Sequence, residues 1–452
     1  MSNTSSTGML PSEKRAAWSL SLIYLTRMLG LFVILPVFSL LAIEYEHSTP
    51  FLIGLAIGIY GLFQALLQIP FGRLSDKFGR KPVIAAGLIL MIIGSAVAAL
   101  SESIYWVIFG RALQGSGAIA AVLMALAADL SRDDQRTKMM AMLGASIGFS
   151  FLLALMVGPV LIKWLSIAWL FWFTGGMAIL GLLVLYFLVP EPEKGGFSAD
   201  TSAKASTVFE LLRHPQLLRL DFSIFYLHVL VTATFVAVPT LLVKSGLAAD
   251  QHWQLYLGSF VVAIVMLIPL IMLAEREMMR GVLIICIVGL MVSLLLFSQF
   301  STQVTMLVVG MALFFGFFST MEALLPSLVS RIAPAASRGS ATGIYASSQF
   351  MGAFVGGAGG GWLLGVADAQ RLFFVLAVAC LLWIFVLLGF KRPAKLSRLR
   401  KVLSTRQMAS GEAAIAFELS NLPGVEEVAV ALDEGVAYLK IDKSQFSNTP
   451  AA

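Results

Sequence analysis

About twelve stretches of this sequence stay apolar for some 20 residues, the length a helix needs to cross the hydrocarbon core of a bilayer. They begin near Trp18, Pro50, Pro82, Ile104, Met139, Ile167, Leu220, Trp253, Gly281, Val304, Gly339 and Leu372. Nothing else constrains the chain so strongly. Strands of a membrane barrel would be about 10 residues long with alternating polarity, and no such alternation occurs before the C-terminal tail. The expected fold is therefore an all-α membrane protein with twelve transmembrane helices. Composition agrees: 12% of the 452 residues are charged and 59% hydrophobic, against roughly 25% charged in an ordinary soluble domain. The first span is too long for a signal-peptide core and lacks a small-residue cleavage site, so it is expected to remain in the mature protein. Cys286 and Cys380 both fall within spans, which excludes a disulfide framework and a thiolate metal site.

The net charge of +6 would suit nucleic acid if it were gathered on a soluble face, but it is not. Lys163, Lys244 and Arg371 lie in loops on one side, and Arg27 and Arg111 lie within spans. Every other Lys and Arg of the 31 falls in a segment on the opposite side. Basic loops stay in the cytoplasm, which places both termini there. Nucleic acid is thereby excluded as a partner.

The one long hydrophilic connection, residues 190–219, follows the sixth span, so residues 18–189 and 220–390 form two six-helix halves behind a cytoplasmic segment, 1–17. The halves repeat at an offset of 199 residues. Pro70, Leu74, Asp76, Lys77, Lys81 and Val83 meet Pro269, Leu273, Glu275, Arg276, Arg280 and Val282, and Gly144 and Gly158 meet Gly343 and Gly357. Two parallel repeats related by an axis along the membrane normal are the architecture of one large class of secondary transporters. Beyond Phe390 the composition changes. Residues 391–406 read as a basic linker, suited to anionic lipid at about 1 kcal/mol per Lys or Arg. Residues 407–452 read as a small αβ module, a short helix followed by a hairpin over "VEEVAVAL" and "VAYLKID". At that size it is near the lower limit for independent folding and leans on the membrane domain or on itself in a dimer.

The loop between the second and third spans, "GRLSDKFGRK", carries Gly72, Asp76, Lys77, Gly79, Arg80 and Lys81. Topogenic charge accounts for the basic residues but not for Asp76, nor for the two glycines that bracket it, the residue type used where backbone turns sharply or packs closely. The segment matches the signature G-x-L-[SA]-D-[RK]-x-G-[RK]-[RK] at every specified position and so resembles the major facilitator superfamily. "RALQG" (Arg111–Gly115), "ADLSRDDQR" and "ALMVGP" resemble further motifs of its drug:proton antiporter branch, although Ala154, Leu161 and Ile162 replace glycines of the last. The resemblance covers residues 15–390. It implies two six-helix halves that expose a central site to each side in turn, and a contact of the loop acid with the start of the eleventh helix near Gly339 in the outward-facing state, with Arg80 and Asp129 completing a charge network. The tail is similar to ferredoxin-like heavy-metal-associated domains, but their C-x-x-C is absent, so no metal is expected.

Ionisable residues inside a membrane are costly and point to function. Arg27, His228 and Glu322 each lie roughly 12 to 14 Å in from the cytoplasmic end of their spans, near mid-depth. Arg27 and Glu322 either neutralise each other, or bond to buried carbonyls, and so hold the halves together, or they form part of a central site. Glu322 is the expected titrating group, with His228 either a second proton carrier or satisfied locally. Arg111 takes part in proton transfer in the resembled motif and equally suits a structural role. Gln64 and Gln68, one turn apart, serve substrate or a neighbouring helix. Gly352, Gly356 and Gly360 of the eleventh span, with Gly144, Gly148, Gly158 and Pro159 of the fifth, form small-residue stripes suited to close or sliding helix contacts.

The expected function is secondary transport of a small molecule, driven by protons and directed outward, without a cofactor and with no enzyme activity; no Walker loop is present. The expected assembly is a monomer with tail-mediated self-association open. A membrane sensor on a transporter fold and a proton–solute symporter are the alternatives.

Overall fold

The computed structural model describes residues 8–132, 135–164, 166–191, 205–334, 337–391, 396–403, 408, 411–431 and 435–442. It divides into two compact units, Met1–Phe390 and Lys391–Ala452.

The first unit is helical throughout. Its elements are α1 (Pro11–Phe32), α2 (Leu35–Leu41), α3 (Pro50–Phe78), α4 (Arg80–Ala99), α5 (Ile104–Ser116), α6 (Ala120–Asp129), α7 (Arg136–Leu161) and α8 (Ile167–Phe187). After the inter-half connection come α9 (Ala205–Arg213), α10 (Pro215–Lys244), α11 (His252–Leu273), α12 (Met279–Gln299), α13 (Val304–Ile332), α14 (Arg338–Val366) and α15 (Ala369–Leu388). The pairs α1–α2 and α5–α6 each form one interrupted span. Among the described residues, eleven spans are long and apolar enough to cross a membrane on their own account. The twelfth, α14, has 29 residues but is diluted by glycine and serine.

Prolines and glycines set the breaks. Pro36 lacks an N–H and clashes with the carbonyl four residues back, and α1 ends at that residue, Phe32. Pro239 likewise frees the Phe235 carbonyl, which accepts from Ser39 Oγ at 3.2 Å across the halves. Between α3 and α4 the chain turns on one residue, Gly79, at φ 92°, a conformation open to glycine and strained for other residues. The repeat partner of Gly79 is Met278, and there the connection is made differently. A π-helical turn over Ala274–Met278 carries α11 into α12 without a positive φ.

The halves meet most closely where α3 crosses α14. A β-carbon on Gly54 would collide with the Gly357 carbonyl and lie 2.8 Å from Gly361 Cα; one on Gly58 would lie 2.7 Å from the Phe354 carbonyl. Gly352 and Gly356 press instead on the Phe225 and Val229 carbonyls of α10, and Gly360 on Ala233. The stripe expected to slide between the halves therefore packs within its own half, and the adjoining pair Gly357 and Gly361 serves the seam. Gly144 and Gly148 meet nothing within 4 Å, so they form no close crossing, whereas Gly158 packs on the Val33 carbonyl at the α1–α2 break. Pro159 lies inside α7, which runs unbroken to Leu161.

All of these inter-half contacts lie toward the face opposite the basic loops. The series closest to the basic face is Ser347 Oγ to the Ala65 carbonyl, 3.3 Å. Beyond it no hydrogen bond or ion pair joins the halves among the described residues, and the open sides of Gly72, Gly339 and Gly343 are clear for 4 Å. At the far face Lys163 pairs with Asp250 at 3.6 Å. The halves are closed at one face and parted at the basic one.

The second unit is a three-stranded antiparallel sheet of order β1-β3-β2, with β1 Leu396–Val402, β2 Val425–Ala431 and β3 Val436–Asp442, and a helix α16, Glu412–Ser420. Leu403, Ile415, Leu419, Ala437 and Leu439 form its buried core. The helix and the β2–β3 pair fall in the stretch 407–452 read as an αβ module, and β1 falls inside the stretch 391–406 read as a basic linker. The run "LSRLRKV" carries enough basic residues to read first as charge, which disguised the strand. Similarly, α9 and the first turn of α10 fall within the connection 190–219; residues 192–204 lie outside the described residues, as do 1–7 of the N-terminal segment.

Gly54→Val and Gly357→Val are expected to lower stability by about 1–3 kcal/mol or more, because neither backbone can retreat. Gly148→Val should fall within about 0.5 kcal/mol of the parent. Thermal melting of the purified variants in one detergent checks both.

Candidate functional site

Two groups of polar residues stand out, one at the basic face and one at mid-depth. At the face, Arg80 is the hub. Its Nη1 donates to Asp76 Oδ1 at 2.5 Å and to Ser75 Oγ at 2.6 Å, and its Nε donates to Asp129 Oδ2 at 3.0 Å, joining the end of α3 to the end of α6. Gly79 makes this geometry possible by folding α4 back within one residue of α3. Lys81 donates to the Val189 carbonyl at 2.8 Å and to Glu191 Oε1 at 2.7 Å, beyond α8. Lys77 lies over the Phe78 ring. The network expected among Asp76, Arg80 and Asp129 is present, and it lies wholly within the N-terminal half. The expected contact of Asp76 with the start of α14 is not made in this conformation, where Gly339 faces open space. Gly72 is an ordinary helical position of α3.

At mid-depth α10, α13 and α14 bring together His228, Glu322 and Gln349. His228 Nδ1 is 3.1 Å from the Ile224 carbonyl four residues back, so its hydrogen belongs on that nitrogen. Nε2 is then an acceptor, and Gln349 Nε2 donates to it at 2.9 Å. Glu322 Oε1 stands 3.2 Å from the same Nε2, yet it is buried without a hydrogen bond. The distance suits an ion pair and the lone-pair direction does not, because two acceptors face each other. A proton placed between them satisfies both. Pro326, four residues beyond Glu322, also leaves the Glu322 carbonyl without its helical donor.

A roof of phenylalanines covers this site on the side away from the basic face. Phe151 of α7 reaches across from the N-terminal half, with ring centroids 6.3 Å from Phe235, 6.1 Å from Phe260, 6.2 Å from Phe315 and 6.4 Å from Phe318. Phe318 lies 6.0 Å from the His228 ring. The sequence reading missed these aromatics, because single phenylalanines in apolar spans carry no signal until the helices are placed.

The two buried arginines do not meet Glu322. Arg27 Nη2 donates to Tyr60 Oη at 2.9 Å and Gln64 Oε1 at 3.0 Å, and lies 3.5 Å from the Gly117 carbonyl at the α5–α6 break. Of the two alternatives for Arg27 and Glu322, mutual neutralisation is thus overturned: the Tyr60 hydroxyl and Gln64, which in turn donates to Gln68 at 3.2 Å, hold Arg27 inside its own half. Arg27 Nη1 remains buried and unpartnered. Arg111 donates to the Ala56 and Ile57 carbonyls and to Gln114, and sits 5.2 Å from the Tyr60 ring centroid. This is a tie between α5 and α3, with no carboxylate or imidazole to exchange a proton with. Sequence reasoning also passed over Asp221, because α10 was started at Leu220. Pro215 at its first turn, behind the capping His214 ring, was the available signal.

Comparison with known proteins places this geometry. The family model described as Major Facilitator Superfamily matches residues 20–276 and 251–417. The chain is 41% identical over 435 residues to the inner membrane transport protein YajR of Escherichia coli, covering 96% of this chain and 95% of that one. Over 136 residues it is 33% identical to the class B tetracycline resistance protein of Escherichia coli, 29% of this chain and 33% of that one. Among solved structures a D-xylose-proton symporter has the same fold, at a TM-score of 0.67 and 16% identity, over 84% of this chain and 98% of that one. The chain belongs to the major facilitator superfamily and is a membrane transporter, not an enzyme.

Proposed function

We propose that this transporter couples the export of a small molecule to the inward movement of protons, by exposing a central site to each side of a bacterial inner membrane in turn. The observation that carries the reading is Glu322, a carboxyl at the junction of α10, α13 and α14 whose Oε1 is buried without a hydrogen bond and faces the acceptor nitrogen of His228, with no arginine or lysine paired to it among the described residues. A carboxylate there is stable only when neutralised, since an unpaired charge at the bilayer centre costs at least about 2.5 to 3.5 kcal/mol. Taking up a proton at that atom is the simplest neutralisation. With the basic face in the cytoplasm, the conformation described is open inward and roofed on the outside by the Phe151 cluster. The outward direction is supported by likeness to a protein named for tetracycline resistance; the named D-xylose-proton symporter shares only the fold.

Asp76 serves as the latch of the other access state. A helix start carries about half a positive charge, and α14 presents its start, free of side chains at Gly339 and Gly343, on the side across from α3. In the open conformation Arg80 holds Asp76 ready. The second unit, a three-stranded antiparallel sheet with one helix, acts as a regulatory module, and its basic residues suit anionic lipid.

Three outcomes follow. Glu322→Gln should leave the protein folded and able to exchange substrate down its own gradient, while proton-driven accumulation in proteoliposomes is lost; a wild-type pH dependence in this variant would remove the assignment, and ligand binding without any flux would favour a sensor. Asp76→Asn should move the population toward the inward-open state by about 1 kcal/mol, roughly fivefold, read as the distance distribution between spin labels on the basic ends of the two halves. Truncation after Phe390 should leave transport measurable but alter its rate; failure of the helical unit to fold would make the second unit part of its core.

A further inference from the structure

We propose that Tyr345 of α14 and Asp221 of α10 form the route by which a proton leaves Glu322 toward the basic face. The inference rests on the proton-coupled reading above and adds two residues that it does not use. Both are buried, at 5% and 8% exposure, and neither has a structural occupation. The Tyr345 hydroxyl has no hydrogen-bond partner, and Asp221 takes part in no hydrogen bond or ion pair among the described residues. An idle hydroxyl and an idle carboxyl in a membrane are each unfavourable, so their presence asks for a use.

Helix register brings them together. α10 and α14 run side by side in the same direction, with Gly352 against Phe225, Gly356 against Val229 and Gly360 against Ala233. Extended back by two turns, the same register sets Tyr345 level with Leu218, within one turn of Asp221. Asp221 and His228 are seven residues apart on α10 and therefore share a face, and Tyr345 and Gln349 share a face of α14 in the same way. Gln349 reaches His228, so these two faces are the ones that meet.

The ionisable groups around this line are few. From α13 comes Glu322, from α14 Tyr345, and from α10 itself Asp221 and His228. Tyr226 points away, donating to the Leu376 carbonyl of α15, and Arg219 is engaged with the Val386 and Pro215 carbonyls. The Arg213 guanidinium of α9 stacks on Phe209. α3 offers the neutral Gln64 and Gln68 at this depth, and α2 carries no ionisable residue. The Phe151 roof closes the other direction, so a proton on Glu322 has its exit through the tyrosine. The Tyr345 oxygen accepts the proton of neutral Glu322 as its own hydrogen passes to the Asp221 carboxylate; Asp221 then releases it toward the basic face and the hydroxyl rotates back. The Glu322 and Tyr345 O–H bonds break as new O–H bonds form at Tyr345 and Asp221, and the net result is one proton carried from Glu322 to Asp221. Because protons run inward in export by antiport and in uptake by symport alike, the route is the same for either direction of substrate.

The test follows the proton itself on the full-length protein in nanodiscs. An infrared carboxyl band lost in Glu322→Gln reports protonated Glu322, and a rapid rise in pH starts its release. Tyr345→Phe and Asp221→Asn should each slow the decay of that band by about tenfold or more while its equilibrium amplitude at low pH is unchanged, and Asp221→Glu should recover most of the rate. Tyr345→Phe removes a hydroxyl that bonds to nothing, so it decides the matter even if Asp221→Asn does not fold. A decay within about twofold of wild type in Tyr345→Phe overturns the route, as does a shifted midpoint with unchanged rates, which marks electrostatic influence alone. If Glu322→Gln abolishes no band, the coupling role of Glu322 falls and the route falls with it.

Discussion

Backbone touching backbone where α3 crosses α14 is the contact on which the remaining architecture depends. With glycine on both surfaces at Gly54, Gly58, Gly357 and Gly361, the two helices approach without intervening side chains. Dispersion between close-packed atoms is short-ranged, so such a crossing is strong when shut and worth little when slightly parted. That makes it a seam with two well-defined conditions. The same crossing fixes α14, and through α14 it fixes Gln349 and Tyr345 beside His228 and Glu322. Closing one face and assembling the mid-depth site are thus a single structural event.

The distribution of buried charge separates the halves in a second sense. The N-terminal half buries two guanidinium groups: Arg27, bonded to the Tyr60 hydroxyl and the Gln64 amide, and Arg111, bonded to backbone carbonyls and the Gln114 amide, neither with a carboxylate among the described residues. In the C-terminal half Asp221 is buried and Glu322 buries its Oε1, and neither pairs with an arginine among the described residues. Arginine keeps its proton under all ordinary conditions, whereas a carboxyl does not. The N-terminal half therefore behaves as a fixed electrostatic background, and the C-terminal half holds the groups able to change charge. On the proposed reading, a proton gained or lost at Glu322 would alter the attraction across the seam and so link protonation to the motion of the halves.

Much of this was legible in the chain itself. Apolar length found the spans, including α14, whose glycines hide it from hydropathy alone, and the 199-residue offset paired α3 with α11 through Pro70 and Pro269. The charge order "DKFGRK" carried the Asp76–Arg80 pair and the Gly79 turn. What was hidden depended on which neighbour a residue meets. Arg27 and Glu322 share a depth but not a partner, and depth is all that a sequence supplies. Gly352, Gly356 and Gly360 announce a close contact without saying with which helix; a single step along α14, to Gly357, changes the answer from α10 to α3. Strand β1 was masked because alternate basic residues in a run read first as charge and only second as period two.

The glycine content that lets α14 serve two neighbours also bears on how the protein is made. Of the long helices in the first unit, α14 is the one too weakly apolar to qualify as a span on composition. Its residence in the lipid phase is owed to surfaces offered by α3 and α10, which are synthesised before it. Insertion of the other spans can proceed in order of emergence, whereas α14 has to find its slot in an already assembled bundle. A defect in either neighbour would then appear first as a failure of biogenesis, with the eleventh crossing left outside the bilayer and the chain beyond it on the wrong side.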